Sequence, residues 1–155
     1  MLLRRATAAD AAVWTQLNRE FMDFEIKDAE LWNNAGAAGD EAMTEVFRQA
    51  LDRPGMITIF MLEECGQTVG FTNLMSIFSV WAHGLALVID DLYIRPEFRG
   101  AGLGRQAMSL LESYAEKSGY KRIQFQSEET NPGAKAFYKA VGYHPGNMCF
   151  YVKYL

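Results

Sequence analysis

The sequence predicts a single mixed α/β domain, and three observations carry that prediction. The chain has 155 residues, the length of one ordinary domain. Half of its residues are hydrophobic and 22% are charged, which suffices for a core and excludes wholesale disorder. Helical patterns alternate with short β-rich runs in the order β-α-α-β-β-β-α-β-α-β. We therefore expect one domain over residues 1–155.

The chain begins with a strand and two helices. Leu2–Arg5 has the pattern of a short strand. Thr7 stands at an N-cap position, and the apolar side chains from Ala11 to Phe21 recur at helical spacing. Residues 27–39 lack a regular pattern and contain glycine, which predicts a loop. A second helix is expected over Asp40–Leu51.

Three β-rich runs form the middle of the chain. Met56–Leu62 and Val69–Phe78 are joined by a five-residue segment typical of a hairpin connection, residues 63–67. The third run, Leu85–Ile94, is apolar almost throughout and is interrupted by two aspartates. A strand of this kind is expected at the centre of a sheet, with both faces covered.

The remaining elements follow in the C-terminal third. They are an amphipathic helix from Leu103 that ends at Gly119, a strand at Ile123–Phe125, a helix that Asn131 and Pro132 open and Gly142 ends, and a final strand over Phe150–Leu155.

Charge and cysteine content restrict the class of protein. The net charge of −4 speaks against a dedicated nucleic-acid binder. The balance is −6 over residues 1–80 and +2 over residues 81–155, so the first half favours a cationic ligand and the second tolerates an anion. Two cysteines do not make a disulfide scaffold, and the two isolated histidines give no metal site. With no apolar run of membrane-spanning length, we expect a cytoplasmic protein that binds neither membrane nor metal.

The most informative segment is Arg99-Gly100-Ala101-Gly102-Leu103-Gly104-Arg105, directly before a helix. Glycines let the backbone approach a ligand closely, and backbone amides converge at a helix N-terminus. A phosphate or pyrophosphate suits this arrangement, with Arg99 and Arg105 adding positive charge. The alternative is a tight turn that binds nothing.

Two phosphate-binding templates fail on this segment. A P-loop needs Gly-x4-Gly-Lys-Ser/Thr, and the sequence has no such run. A dinucleotide fingerprint is matched in letters by Gly102, Gly104 and Ala107, but its glycines should follow the strand at once. Here residues 95–99 intervene. A third template, Arg or Gln followed by x-x-Gly-x-Gly/Ala after a strand and a short connector, is met by Arg99, Gly102 and Gly104.

At these residues the chain resembles the GNAT superfamily of acetyl-CoA-dependent N-acetyltransferases. The resemblance extends over Ile89-Asp90-Asp91-Leu92-Tyr93-Ile94-Arg95-Pro96-Glu97-Phe98-Arg99-Gly100, then Asn131-Pro132-Gly133-Ala134, and Phe137-Tyr138 before Gly142-Tyr143. It implies a six- to seven-stranded, mostly antiparallel sheet that splays between two central strands, with about four helices.

The resemblance also implies how acetyl-CoA, the cosubstrate, would be held. Its pyrophosphate would bind amides of the turn from Gly100 through Ala101, Gly102, Leu103 and Gly104 to Arg105, next to Arg99. Its pantetheine arm would pair with the backbone of Leu92, Tyr93 and Ile94, like an added strand. Asn131 caps the last helix on its sequence position and is also expected at the cofactor.

Acetyl transfer to an amine needs a base for the amine and an acid for the departing thiolate. Tyr138 occupies the family's general-acid position, although it also lies on an apolar helical stripe typical of core. Asp90 and Asp91 interrupt the central strand, and Asp90 matches the position of a glutamate in polyamine acetyltransferases of the family. Neighbouring strand residues face opposite sides, so only one aspartate should face the acceptor unless a bulge intervenes.

The acceptor side is less specified. Aromatic residues beside carboxylates at the end of the first helix, Phe24 and Glu25 among them, suit an alkylammonium group, and so do Asp90 and Asp91. The leading hypothesis is direct acetyl transfer to a small primary amine. A protein or peptide acceptor, a non-catalytic acyl-CoA-binding module and a homodimer remain open alternatives. Cys65 and Cys149 lack a fixed base, which disfavours an acyl-cysteine route.

Overall fold

Five strands form one mixed sheet in the computed structural model, which describes residues 1–25, 38–129 and 131–154. The strands are β1 (Leu2–Arg5), β2 (Ile57–Glu64), β3 (Gln67–Ser79), β4 (Gly84–Ile94) and β5 (Arg122–Phe125). They lie in the order β1-β2-β3-β4-β5. All neighbours are antiparallel except β4 and β5, which are parallel because a helix carries the chain between them.

Four α-helices cover the sheet within the described residues. They are α1 (Ala11–Glu25), α2 (Asp40–Leu51), α3 (Leu103–Lys117) and α4 (Pro132–Ala140). Short 3-10 turns precede α1 at Ala8–Asp10, join β3 to β4 at Val80–Ala82 and follow β4 at Pro96–Phe98. None of the helices in the described ranges is long and apolar enough to cross a membrane.

The core lies on both faces of the sheet. On one face, α1 and α2 pack Trp14 and Phe47 against Phe71 of β3 and Tyr93 of β4. On the other face, α3 contributes buried residues to two further clusters that it shares with the strands. They are Met108, Leu111 and Ala115 in one cluster and Leu103 and Ala107 in the other. Strand β4 contributes to both faces, which confirms the expected central strand.

A β-bulge interrupts the pairing of β3 with β4. Asn73 lies opposite Asp91, whereas the next residue, Leu74, lies opposite Ile89. Asp90 is therefore an extra residue in β4 with no partner of its own on β3. The hydroxyl of Thr72 donates a hydrogen bond of 2.7 Å to the backbone oxygen of Asp91, beside the irregular position.

Most of the expected elements are confirmed, with two corrections. The hairpin between β2 and β3 turns on Cys65 and Gly66 alone, so both strands extend into the segment expected as its connection. Residues 150–154 form no strand, and the described sheet has five strands rather than six or seven; Leu155 lies outside the described residues. Most of the expected 27–39 loop lies outside them too, since residues 26–37 are not described.

Candidate active site

Strand β4 is longer than its parallel neighbour, and this difference opens one of its edges. Pairing with β5 runs from Ala86 opposite Arg122 to Ile89 opposite Phe125, where β5 ends. Strand β4 continues to Ile94 and stays paired with β3 through that stretch. In the described part of the chain, the other edge of residues 90–94 has no strand beside it. Its backbone groups can therefore pair with an extended ligand.

The side chains of this open stretch are used in packing. Leu92 and Ile94 pack on the α3 side of the sheet, while Tyr93, only 2% exposed, packs beneath α1. The three residues expected to bind the cosubstrate thus keep their side chains in the core. Only backbone groups are available at the edge, and they are those of Leu92 and Ile94, because the backbone groups of Tyr93 point toward β3.

The bulge places two carboxylates at the start of the open stretch. Asp91 lies opposite Asn73, and the Nδ2 of Asn73 donates a hydrogen bond of 2.6 Å to its Oδ2. The Asp91 side chain is half-buried, whereas Asp90 is exposed. The sequence requires a bulge if both aspartates are to face the acceptor. Strand β4 contains a bulge at this position.

Burial and mutual repulsion alter the acidity of this pair. Burial, and then the charge of Asp90, raise the pKa of Asp91 to about 6, although the hydrogen bond from Asn73 opposes the change. Partial shielding of its carboxyl from water also raises the pKa of Asp90, although the residue as a whole is exposed. A carboxyl with a pKa near neutrality is suited to take and release protons at physiological pH.

The glycine-rich turn lies beyond the other end of the open stretch. Gly100 and Gly102 adopt left-handed conformations, with φ of +82° and +80°, which glycine adopts without strain. Gly102 is the N-cap of α3 and offers no side chain to cap the helix. A Cβ placed on Gly100 or Gly102 would meet no atom within 4 Å. The first-turn amides of α3 therefore face open space, as an anion site requires.

Other residues of the turn have structural contacts. A Cβ on Gly104 would lie 3.2 Å from the ring of Phe137, so this glycine lets α3 and α4 approach closely. The Nε of Arg99 donates to the carbonyl oxygen of Ile94 at 2.7 Å, and its guanidinium lies 5.6 Å from the centre of the Tyr93 ring. Arg105 reaches the carbonyl oxygen of Ala140 at the end of α4. Ala101 is exposed and Leu103 is buried.

Tyr138 lies beside the point where β4 and β5 separate. Its half-buried ring is 4.3 Å, centre to centre, from the ring of Phe125, the last residue of β5. Asn131 caps α4 as expected, because its Oδ1 accepts a hydrogen bond of 3.0 Å from the amide of Ala134. The helix that carries Tyr138 is thereby anchored at its first turn.

A shallow cleft of about 570 Å³ lies between α1 and the end of β4. Its lining includes Glu20, Asp23, Tyr93, Arg95 and Glu97. Glu20 and Arg95 form a bidentate ion pair at 2.8 and 2.9 Å, which lowers the pKa of Glu20. The cleft has two further carboxylates outside this ion pair, those of Asp23 and Glu97.

Part of the expected acceptor site lies beyond what the structure describes. Phe24 and Glu25 end α1, and their side chains are outside the described residues, as is Trp32. Phe21 and Met22 pack partly buried in the core under α1. His83, His144, Cys65 and Cys149 are all exposed.

Sequence reasoning missed Asn73 and the Glu20–Arg95 pair. Asn73 is a polar residue inside an apolar strand, which is the same signal that drew attention to Asp90 and Asp91. The pairing of Glu20 with Arg95 joins residues 75 positions apart and leaves no local signal.

Comparison with known proteins agrees with this geometry. Residues 14–143 match the family described as acetyltransferase (GNAT). An uncharacterized N-acetyltransferase, YhfO of Bacillus subtilis, is 29% identical over 92% of this chain and 89% of its own length. The aminoglycoside N(6')-acetyltransferase type 1 of Stenotrophomonas maltophilia is 23% identical over 97% and 91%. The thialysine N-epsilon-acetyltransferase of Bos taurus is 25% identical over 92% and 83%.

The fold is shared with solved structures. The crystal structure of a possible acetyltransferase from Clostridium difficile 630 superposes with a TM-score of 0.80 at 16% identity, covering 99% of this chain and 97% of that one. The family match spans most of the chain, including the open edge of β4, the glycine turn and α4. The chain therefore belongs to the GNAT family and is an acetyl-CoA-dependent N-acetyltransferase.

Proposed function

We propose that this enzyme transfers an acetyl group directly from acetyl-CoA to a primary amine of a small molecule, with both substrates bound together. One observation carries the proposal. The open edge of β4 has the glycine turn beyond one end and the Asp90–Asp91 pair at the other. An extended anionic thioester lying along this edge would have its acyl end at the carboxylates.

The residues present fit acetyl-CoA. The first-turn amides of α3, beyond Gly102, would hold the pyrophosphate. The outward-facing backbone groups of Leu92 and Ile94 would pair with the amides of the pantetheine arm, and the Ile94 oxygen would keep its contact with Arg99. Arg99 and Arg105 would add positive charge while keeping their contacts to the ends of β4 and α4. Acetyl-CoA would supply the acyl group, and the protein would position it.

The carboxylate pair supports activation of the amine. An amine with a pKa of about 10 is protonated at neutral pH and is no nucleophile in that form. Asp90, exposed at the bulge, would take the ammonium proton directly or through water, and Asp91 would hold the ammonium beside it. The amine nitrogen then bonds to the acyl carbon as the carbon–sulfur bond breaks.

Tyr138 would complete the proton balance. It is the phenol next to the separation of β4 and β5, where the thioester end is expected. Its hydroxyl would give a proton to the leaving thiolate sulfur, which is the general-acid role implied by the family. The second proton, which the amine nitrogen loses on forming the amide, would return the resulting phenolate to the phenol.

Two observations support a cationic small molecule as the acceptor. The relatives from Stenotrophomonas maltophilia and Bos taurus are named for an aminoglycoside and for thialysine, both of which are small amines. Carboxylates occur along this region in two places: Asp90 and Asp91 lie at the bulge, and Asp23 and Glu97 line the cleft at the end of β4. Such a surface attracts a compound with more than one amino group.

The proposal is tested by measuring acetyl-CoA consumption over a panel of amines. The panel holds polyamines, amino sugars, amino-acid derivatives, and peptides with free N-termini or lysines. We expect turnover with one or more small amines and a higher kcat/KM for dications than for monoamines of equal length. Turnover with peptides alone would assign a protein acceptor, and coenzyme A binding without any turnover would point to a binding module.

Replacing Tyr138 by Phe removes the proposed acid and keeps the ring that stacks on Phe125. We expect kcat to fall by about 100-fold or more, the usual contribution of a positioned acid, while coenzyme A affinity by calorimetry stays unchanged. Tyr143→Phe is the matched control, since Tyr143 also stacks on Phe125, at 4.9 Å. It should keep its turnover. Full activity in Tyr138→Phe would remove the acid assignment.

Gly102→Asp tests the anion site. In the wild type, coenzyme A at about 100 times its Kd should raise the Tm by about 5–10 °C. The new carboxylate lies at the N-terminus of α3 and should abolish that rise by crowding and repelling the pyrophosphate. Gly66→Asp, in the β2–β3 turn, has a similar φ of +78° and equally open surroundings, so it controls for backbone strain. Equal protection of both variants would exclude this turn as the phosphate site.

Asp91→Asn tests the burial of charge at the bulge. The folded protein binds the Asp91 proton more tightly than the unfolded chain, so its free energy of unfolding decreases as pH rises from about 4 to about 6. Asn carries no such charge. The variant should be more stable by about 2–3 kcal/mol at pH 7 and by much less at pH 4 in urea unfolding, with reduced activity. Asp52→Asn, exposed at the end of α2, should change neither.

A further inference from the structure

A chain of buried hydrogen bonds leads from α1 to the carboxylate pair. The indole Nε1 of Trp14 donates to the Oδ1 of Asn73 at 3.1 Å, and the Nδ2 of Asn73 donates to the Oδ2 of Asp91 at 2.6 Å. Trp14 is 4% exposed and Asn73 is 6% exposed. Three elements, α1, β3 and β4, are thereby linked through side chains alone.

The chemistry of the indole fixes the direction of this chain. An indole N–H can only donate, so the oxygen of the Asn73 amide must face Trp14. The amide NH₂ must then face Asp91. With its oxygen held in place, Asn73 cannot turn and present an acceptor to the Asp91 carboxylate.

Trp14 is itself held firmly. Its ring lies 5.0 Å from that of Phe47 and 6.1 Å from that of Phe71, centre to centre. Its backbone oxygen accepts a hydrogen bond of 2.9 Å from Asn18 within α1. The first member of the chain has little freedom to move, and that constraint passes to Asn73.

We propose that Trp14 and Asn73 are positioning residues for the amine substrate: the Trp14 indole fixes the Asn73 amide, which holds the Asp91 carboxylate in place at the bulge, where it would bind the ammonium group. This inference rests on the proposed function for its catalytic consequence. It concerns residues that touch neither acetyl-CoA nor the amine and act only through Asp91.

The charged surroundings of Asp91 are simple. On β4, Asp90 is the charged neighbour that acts on it, whereas β3 and α1 present the neutral Asn73 and Trp14. Glu20 of α1, together with Arg95 and Glu97 after β4, acts on Tyr93. The hydrogen bond from Asn73 opposes the effects of burial and of Asp90, so its loss should make Asp91 harder to ionise.

The experiment compares Asn73→Leu, which removes the amide at similar volume, with Trp14→Phe, which removes only the indole donor and keeps an aromatic ring. Thr15→Val is the matched control: Thr15 is the next residue of α1, is buried, and hydrogen-bonds to Thr44 rather than toward Asp91. Two readouts are taken. One is the titration of the Asp91 carboxyl carbon by NMR without substrates, and the other is the pH profile of kcat/KM.

In Asn73→Leu, we expect the Asp91 titration and the acidic limb of kcat/KM to move upward together by about one pH unit, the effect of losing one hydrogen bond to a charge. At a pH on that limb, this is about a tenfold loss of kcat/KM. Trp14→Phe should move both in the same direction by a smaller amount. Thr15→Val can lower the Tm but should move neither.

The inference would be overturned if the Asp91 titration did not shift in either Asn73→Leu or Trp14→Phe. A shift in Thr15→Val as large as that in Trp14→Phe would also overturn it. If Asn73→Leu does not fold, Trp14→Phe decides alone. A wild type that acetylates no amine would contradict the proposed function, and the NMR titration would still decide whether Trp14 and Asn73 hold Asp91.

Discussion

The register shift at Asp90 is the constraint on which the candidate site depends. In an uninterrupted strand, residues 87, 89, 91 and 93 would share one face. Here Leu87 and Ile89 pack toward α3, whereas Tyr93 packs beneath α1 and Asp91 meets Asn73. One extra residue therefore turns the strand over halfway along. The odd-numbered side chains of β4 therefore fill one core before the bulge and the other core after it, with both carboxylates at the change of face.

Beyond the bulge, the side chains and the backbone of β4 have different roles. Leu92, Tyr93 and Ile94 are committed to packing, so sequence change there is limited by volume. The backbone on the open edge stays available because β5 stops at Phe125. A similar division holds in the glycine turn, where Gly104 serves contact with Phe137 and Gly102 leaves room for a ligand. The proposed recognition surface is thus made largely of main chain, whose chemistry does not change with sequence.

Much of this architecture could be predicted from the sequence because it is locally encoded. Helical periodicity, with Pro132 at the start of α4 and a left-handed Gly142 after it, specified that helix to within a residue. The final strand could not be predicted in this way. Residues 150–154 have strand-forming side chains, but a strand also needs a neighbouring edge, and none pairs with them in the described chain. The bulge and the role of Asn73 depend on pairing between strands, which local pattern does not determine.

The two faces of the sheet meet different demands, and β2, β3 and β4 contribute side chains to both. The glycine turn and α3, which are proposed to bind the cofactor, lie on one face, while α1 and α2 pack on the other. Substitutions that change the shape of α1 and α2 can accumulate without disturbing the glycine turn or α3. Trp14 is an exception, because its indole bonds Asn73 of β3 and, through Asn73, is linked to Asp91 of β4. Divergence toward new acceptors should therefore proceed readily at most positions of α1 and slowly at this one.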